Sequence, residues 1–103
     1  SILDGVSVTT DLSLTSAGDI TDATNVTVSV GGAATFNAGA NDITLGDSAG
    51  DTTNFGSLSI TAGNATITED SASILDGVSV TTDLSLTSAG TITDATNVTV
   101  SVG

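Results

Sequence analysis

The residues with the most specific chemistry lie in one acidic stretch. Asp47, Asp51 and Asn54 fall within GDSAGDTTNFG (46–56), and Asp42 precedes it. Calcium binds carboxylate and carbonyl oxygens, so these side chains form a candidate calcium site. Neither the EF-hand loop nor the nonapeptide calcium repeat is present. The competing interpretation, which the missing motif favours, is that aspartates at bends accept hydrogen bonds from turn backbone and keep the surface soluble.

The composition excludes most enzyme classes. There are twelve acidic residues and no Lys, Arg, His or Cys, which gives a formal net charge of −12. No serine or threonine therefore has an imidazole or amine to activate it. Two carboxylates can hydrolyse a glycoside, but two Phe are the only aromatic residues that can stack on a sugar. We expect no catalytic residue, no cofactor-binding residue and no cofactor other than calcium.

The same charge restricts the partners. Phosphate recognition needs cations, and a uniformly negative chain is repelled by nucleic acids and anionic lipids. No apolar run approaches the ~20 residues of a membrane-spanning helix. We expect neither nucleic-acid binding nor membrane insertion.

The chain contains a long internal repeat. Residues 1–31 return as residues 73–103 at an offset of 72, and the copies differ only at Asp19 and Thr91. Residues 1–72 are therefore one complete tandem repeat, and residues 73–103 begin the next. We expect one continuous structure across both.

A shorter pattern runs inside the repeat, in which an apolar residue, Ser or Thr, and an apolar residue alternate. Period-two alternation predicts half-buried strands, and Gly, Asp and Asn between the segments predict bends. Nine such segments fall within one complete repeat, and Phe55 is a candidate for an additional strand. The clearest segments are VSV (6–8), LSL (12–14), VTV (26–28), ITL (43–45) and LSI (58–60).

Short strands joined by tight bends favour an all-β parallel β-helix, or β-solenoid, with about three coils of three faces per 72-residue repeat. Each strand then pairs with its equivalent one coil away, and neighbouring coils bury each other's apolar rows. A β-sandwich repeat is the alternative. The predicted inward residues are Val6, Val8, Leu12, Leu14, Val26, Val28, Val30, Ile43, Leu45, Leu58, Ile60 and Ile67.

The order ATFNAGANDITL, NFGSLSIT, NATIT resembles the β-strand-repeat region of giant secreted bacterial adhesins, which are filamentous-haemagglutinin-like. This resemblance covers essentially the whole chain. It implies a right-handed parallel β-helix, a secreted, extracellular or cell-surface location, and a role as a stalk, adhesin or fibre.

The functional prediction is a structural repeat segment of an extracellular bacterial fibre or adhesin stalk that associates along its axis with neighbouring copies or adjacent repeats. Unpaired strand edges and the absence of Pro favour such stacking. The alternative is a ligand-binding adhesin repeat that takes a carbohydrate, such as a cell-surface glycan, or calcium in the 46–56 stretch. Outward Ser/Thr pairs such as Ser13/Thr15 also match an ice-binding surface, but Thr is equally the ordinary choice for a wet strand face.

Overall fold

The computed structural model describes all residues 1–103 and contains ten strands and no helix. The strands are β1 (Ile2–Leu3), β2 (Val6–Val8), β3 (Leu12–Thr15), β4 (Ile20–Asp22), β5 (Thr27–Asn37), β6 (Ile43–Leu45), β7 (Thr52–Glu69), β8 (Ser73–Ser88), β9 (Ile92–Asp94) and β10 (Val100–Val102). Every strand pair is parallel.

The chain winds as a β-solenoid of about five turns, which confirms the predicted fold. Each strand pairs with a strand one turn later, so the pairing does not close within a block as a sandwich requires. The turns differ in length. The register step from Thr27 to its partner Thr52 is clearly longer than the step from Leu58 to its partner Leu75.

Three faces surround the core. The first face stacks β1, β4, β6, residues 64–69 of β7 and residues 83–88 of β8. The second face stacks β2, residues 27–30 of β5 and residues 52–55 of β7. The third face stacks β3, residues 33–37 of β5, residues 57–61 of β7, residues 78–79 of β8 and β10.

Seventeen buried hydrophobic residues form one core along the axis. The predicted inward residues belong to it or pack against it; Val6, Val8, Leu12, Leu14 and Val26 are the half-buried ones. Both phenylalanines lie in this core, although neither was predicted to be inward. The Phe36 and Phe55 rings meet edge-to-face with centroids 5.5 Å apart.

Several bends do not interrupt the strands, so β5, β7 and β8 are longer than the predicted three- to five-residue segments. Glycine allows this at the corner between the second and third faces. A Cβ atom on Gly56 would collide with the carbonyl oxygens of Gly31 and Gly32 one turn away. Backbone approaches backbone here without loss of the hydrogen-bond ladder, and only glycine leaves room for it.

The two sequence copies pair in the same way. Ile2 faces Thr21 in the first copy, as Ile74 faces Thr93 in the second. Val6 likewise faces Val28, as Val78 faces Val100. The second copy also stacks directly on the first through the long β7–β8 pair, so the ladder continues across the repeat boundary.

Candidate cation site

Three carboxylates meet at the corner where the first face leads to the second. Asp22 ends β4, and Asp47 and Asp51 lie in the connection between β6 and β7. One oxygen of each lies within 4.8 Å of the others. The sequence predicted Asp47 and Asp51 for this site; Asp22 joins them because one turn of the solenoid brings residue 22 beside residue 46.

Backbone amides fix two of the three side chains. The Gly46 N–H donates to Asp22 Oδ2 at 2.9 Å. Asp51 accepts from the Val26 N–H at 3.1 Å and from the Ser48 N–H at 3.0 Å, so it ties its own turn to the preceding one. Asp51 is 9% exposed, whereas Asp47 is exposed.

Asp22 is the electrostatically unfavourable member of the group. Its Oδ1 is shielded from solvent and accepts no hydrogen bond. Burial raises the pKa of Asp22, the Gly46 amide partly offsets this, and the Asp51 and Asp47 carboxylates raise it further. The fully buried Thr53 hydroxyl, next to the Cα of Gly46, also has no hydrogen-bond partner.

A proton or a cation relieves this arrangement. Two oxygens that bind one calcium ion at about 2.4 Å lie at most about 4.8 Å apart, and these three oxygens lie within that limit. The donor set is all oxygen and trianionic, so it suits a hard divalent cation and not a transition metal that prefers nitrogen or sulfur.

The other predicted ligands lie elsewhere in the hydrogen-bond network. Asn54 lies within β7 opposite Ser29, between the buried Thr53 and Phe55, and its Oδ1 is shielded and unpartnered. The predicted 46–56 loop is therefore shorter, since β7 begins at Thr52. Asp42 Oδ1 accepts from the Asn64 amide and from Asn64 Nδ2 at 3.2 and 3.1 Å.

Most of the aspartates accept hydrogen bonds from backbone amides at the bends, as the competing interpretation of the acidic residues predicted. At the corner before the first face, Asp19 Oδ1 accepts from the Asp42 N–H at 2.9 Å, and Asp42 does the same for Asn64 in the next turn. Asp11 and Asp70 accept from the amides of Ala33 and Thr53. These bonds join successive turns in addition to the backbone ladder.

Sequence reasoning missed one buried acid. Glu69, the single glutamate, is 1% exposed at the end of β7. Ser73 Oγ donates to its Oε2 at 2.7 Å, and the Phe55 N–H donates to its Oε1 at 3.2 Å. Burial raises its pKa, and these two hydrogen bonds partly offset the effect. Glu69 continues the alternation from Ala65 and Ile67, which was the available signal.

The main surface concavity lies on the third face and not at the 46–51 connection. It has a volume of about 450 Å³, and six of its eleven lining residues carry hydroxyls; the others are Ile60, Val78, Val98, Asp76 and Gly77. Thr35, Ser59 and Thr61 of the first repeat form one wall, and residues 76–79 and 98–101 of the second form the other. The groove therefore spans the junction between the two repeats.

The fold and the duplicated register define this protein as a tandem-repeat parallel β-solenoid. The chain belongs to the family described as repeats of unknown function (DUF5649), whose model matches residues 2–59 and 62–103. Comparison with the curated proteins and with the solved structures found no match. No helix long and apolar enough to cross a membrane is found in the structure.

Proposed function

We propose that this chain is a structural segment of an extracellular bacterial fibre or adhesin stalk, whose work is to span distance. The observation that carries the proposal is the continuation of the parallel ladder from one sequence copy into the next. Because each turn covers the apolar rows of its neighbour, added repeats lengthen the solenoid without any new core design.

The surface supports the same role. Hydroxyl side chains form outward rows, such as Thr21, Thr44, Thr66 and Ser85 on the first face. The exposed acidic side chains, in a chain without basic ones, keep such a surface hydrated and oppose lateral bundling. On the last turn, Ile92, Val100 and Val102 are 43–50% exposed, and a turn or a second copy stacked there would bury them.

The rod proposal is tested by arrays of one, two and four complete repeats. With strand spacings of about 4.8 Å and turns of about 22 residues, each repeat adds about 16 Å to the particle length measured by small-angle scattering or electron microscopy. Particles that grow as separate compact beads contradict a rod. Protease and antibody accessibility on intact source cells tests the surface location independently.

Calcium binding is the second candidate function, favoured by the shielded Asp22 Oδ1 beside the Asp47 and Asp51 carboxylates. Isothermal titration with calcium chloride should show binding, and the melting temperature should rise with calcium and fall with chelator. Asp47→Asn should weaken binding by about tenfold or more, because affinity follows the charge count of the ligands. Asp47 is exposed, so the variant should still fold.

Asp4→Asn is the matched control, since Asp4 is an exposed aspartate outside the cluster. An equal loss of the calcium effect in both variants would indicate general screening of the −12 charge and contradict a site. Absence of both heat and thermal shift would also remove the proposal. A glycan array tests the carbohydrate alternative, for which the hydroxyl-lined groove at the repeat junction is the structural candidate.

A further inference from the structure

We propose that successive 72-residue repeats are rotated by about one third of a turn around the solenoid axis. Equivalent surfaces then return to the same side only after three repeats. The consequence for the surface of a long array rests on the proposed rod. The spin-label experiment within this chain does not depend on the function of the rod.

The two copies of one leucine lie on different faces. Leu12 starts the third-face row that continues through Ala34 and Leu58. Leu84, its equivalent in the second copy, stacks on the first-face row of Ile20, Ile43 and Ala65. The copy has moved forward by one face.

The same shift occurs at a second position. Val6 lies on the second face, below Val28 and Thr53. Its equivalent, Val78, instead stacks on Ile60 in the third-face row and is followed there by Val100. Two independent rows thus give the same displacement, from second face to third and from third face to first.

The cause is the number of strand segments. Nine predicted segments would make three turns of three faces, but residues 52–55 form a second-face segment against residues 27–30. The repeat therefore contains ten segments, which is three turns and one face. Since the second copy repeats the internal register of the first, each later copy adds the same rotation.

This rotation sets the geometry of a long array. Each repeat advances by about 16 Å and turns by about 120°, and three repeats occupy ten turns, or about 48 Å. A partner that binds along one side of the rod contacts equivalent residues once in every three repeats. All three sides of the rod present the same residues. The acidic corner of Asp22, Asp47 and Asp51 would follow the three edges in turn.

Spin-label distances within this chain test the rotation. The sequence contains no cysteine, so paired cysteine variants are labelled only where intended. In the rotated arrangement, Ser85 lies beside Thr66, and Thr61 lies beside Ser79. In an unrotated repeat, Leu84 would continue the row of Leu12, Ala34 and Leu58, and Ser85 would instead lie beside Ser59.

We expect strong dipolar broadening for Thr66→Cys/Ser85→Cys, whose backbones are one strand spacing of about 4.8 Å apart, and weak broadening for Ser59→Cys/Ser85→Cys. Thr66 and Ser85 are exposed, so their labels should be accommodated, and circular dichroism checks the fold of each variant. The reverse pattern overturns the proposal.

Cryo-electron microscopy of a nine-repeat array gives a second test. A rise of about 16 Å with a rotation of about 120° per repeat supports the proposal. A straight rod without rotation between repeats overturns it and leaves the rod function standing, whereas separate beads overturn the rod function itself.

Discussion

Phe36 offers the sharpest test of the stacked core. Its side chain is 0% exposed and lies between Leu14 of the preceding turn and Ile60 of the next. Truncation to alanine removes apolar contacts and leaves a cavity between the two flanking turns, which the hydrogen-bond ladder prevents from closing together. Phe→Ala in a close-packed core costs about 3–5 kcal/mol. The total stability of a domain is about 5–15 kcal/mol, so this is a large fraction.

Part of this cost is specific to the contact with Phe55, whose ring meets Phe36 edge-to-face at 5.5 Å. Such pairs contribute about 0.5–1.5 kcal/mol beyond their burial. A double-mutant cycle of Phe36→Ala and Phe55→Ala should recover a coupling of that size.

The assay is urea denaturation followed by far-ultraviolet circular dichroism, since the chain has no Trp or Tyr to report fluorescence. Ile2→Ala is the control, because Ile2 is 74% exposed and its truncation should change the unfolding free energy by about 0.5 kcal/mol or less. A cost below about 1 kcal/mol for Phe36→Ala would refute the claim that residues from successive turns share one packed row.

Three further substitutions probe the bends and the buried acid. Gly46→Ala should cost about 1–3 kcal/mol from its φ of +73° alone, whereas Gly18→Ala, with open space around it, should be near neutral in the same urea titration. Because burial raises the pKa of Glu69, the protonated form favours the fold; unfolding free energy should fall as pH rises from the ordinary value of 4.5 through the raised pKa and then level off. Glu69→Gln should reduce this dependence to the part that comes from Asp22, whose pKa burial also raises, and an unchanged slope in thermal melts at several pH values would exclude Glu69 as a source. Asp42→Ala should cost about 0.5–1.5 kcal/mol, since the Asn64 amide loses its acceptor; no loss in a denaturation midpoint would mean that water replaces the bond.

The fold class was predictable because the alternation of apolar residues with Ser or Thr recurs along the whole repeat. Ile43 and Leu45, and likewise Leu58 and Ile60, each flank one hydroxyl residue, and all four side chains are buried. A parallel ladder needs nothing more than such rows placed in register.

The register itself was not predictable. The unequal steps from Thr27 to Thr52 and from Leu58 to Leu75 depend on how many residues each corner absorbs, and a glycine-rich corner can bend inside a strand. The segment at residues 52–55 breaks the apolar pattern because Thr53 occupies an inward position that a hydrophobic residue usually takes. That one segment determines whether the repeat makes three turns or three turns and one face.

The acidic cluster was likewise predictable only in part. Asp47 and Asp51 were predicted as a pair because they are close in sequence, while Asp22 joins them only through the winding. The exchange of Asp19 for Thr91 has no structural explanation: Asp19 Oδ1 accepts from the Asp42 N–H one turn on, whereas Thr91 contributes its backbone carbonyl, which accepts from the Ser73 N–H.

The most direct test of the account is a nuclear Overhauser map of the backbone in this 103-residue chain. Parallel turn-on-turn pairing predicts amide-to-Hα contacts that link Ile20 to Ile43, Ile43 to Ala65 and Ala65 to Leu84 in one continuous series. Short Hα–Hα contacts between neighbouring segments, which antiparallel strands give and parallel strands do not, would contradict the solenoid.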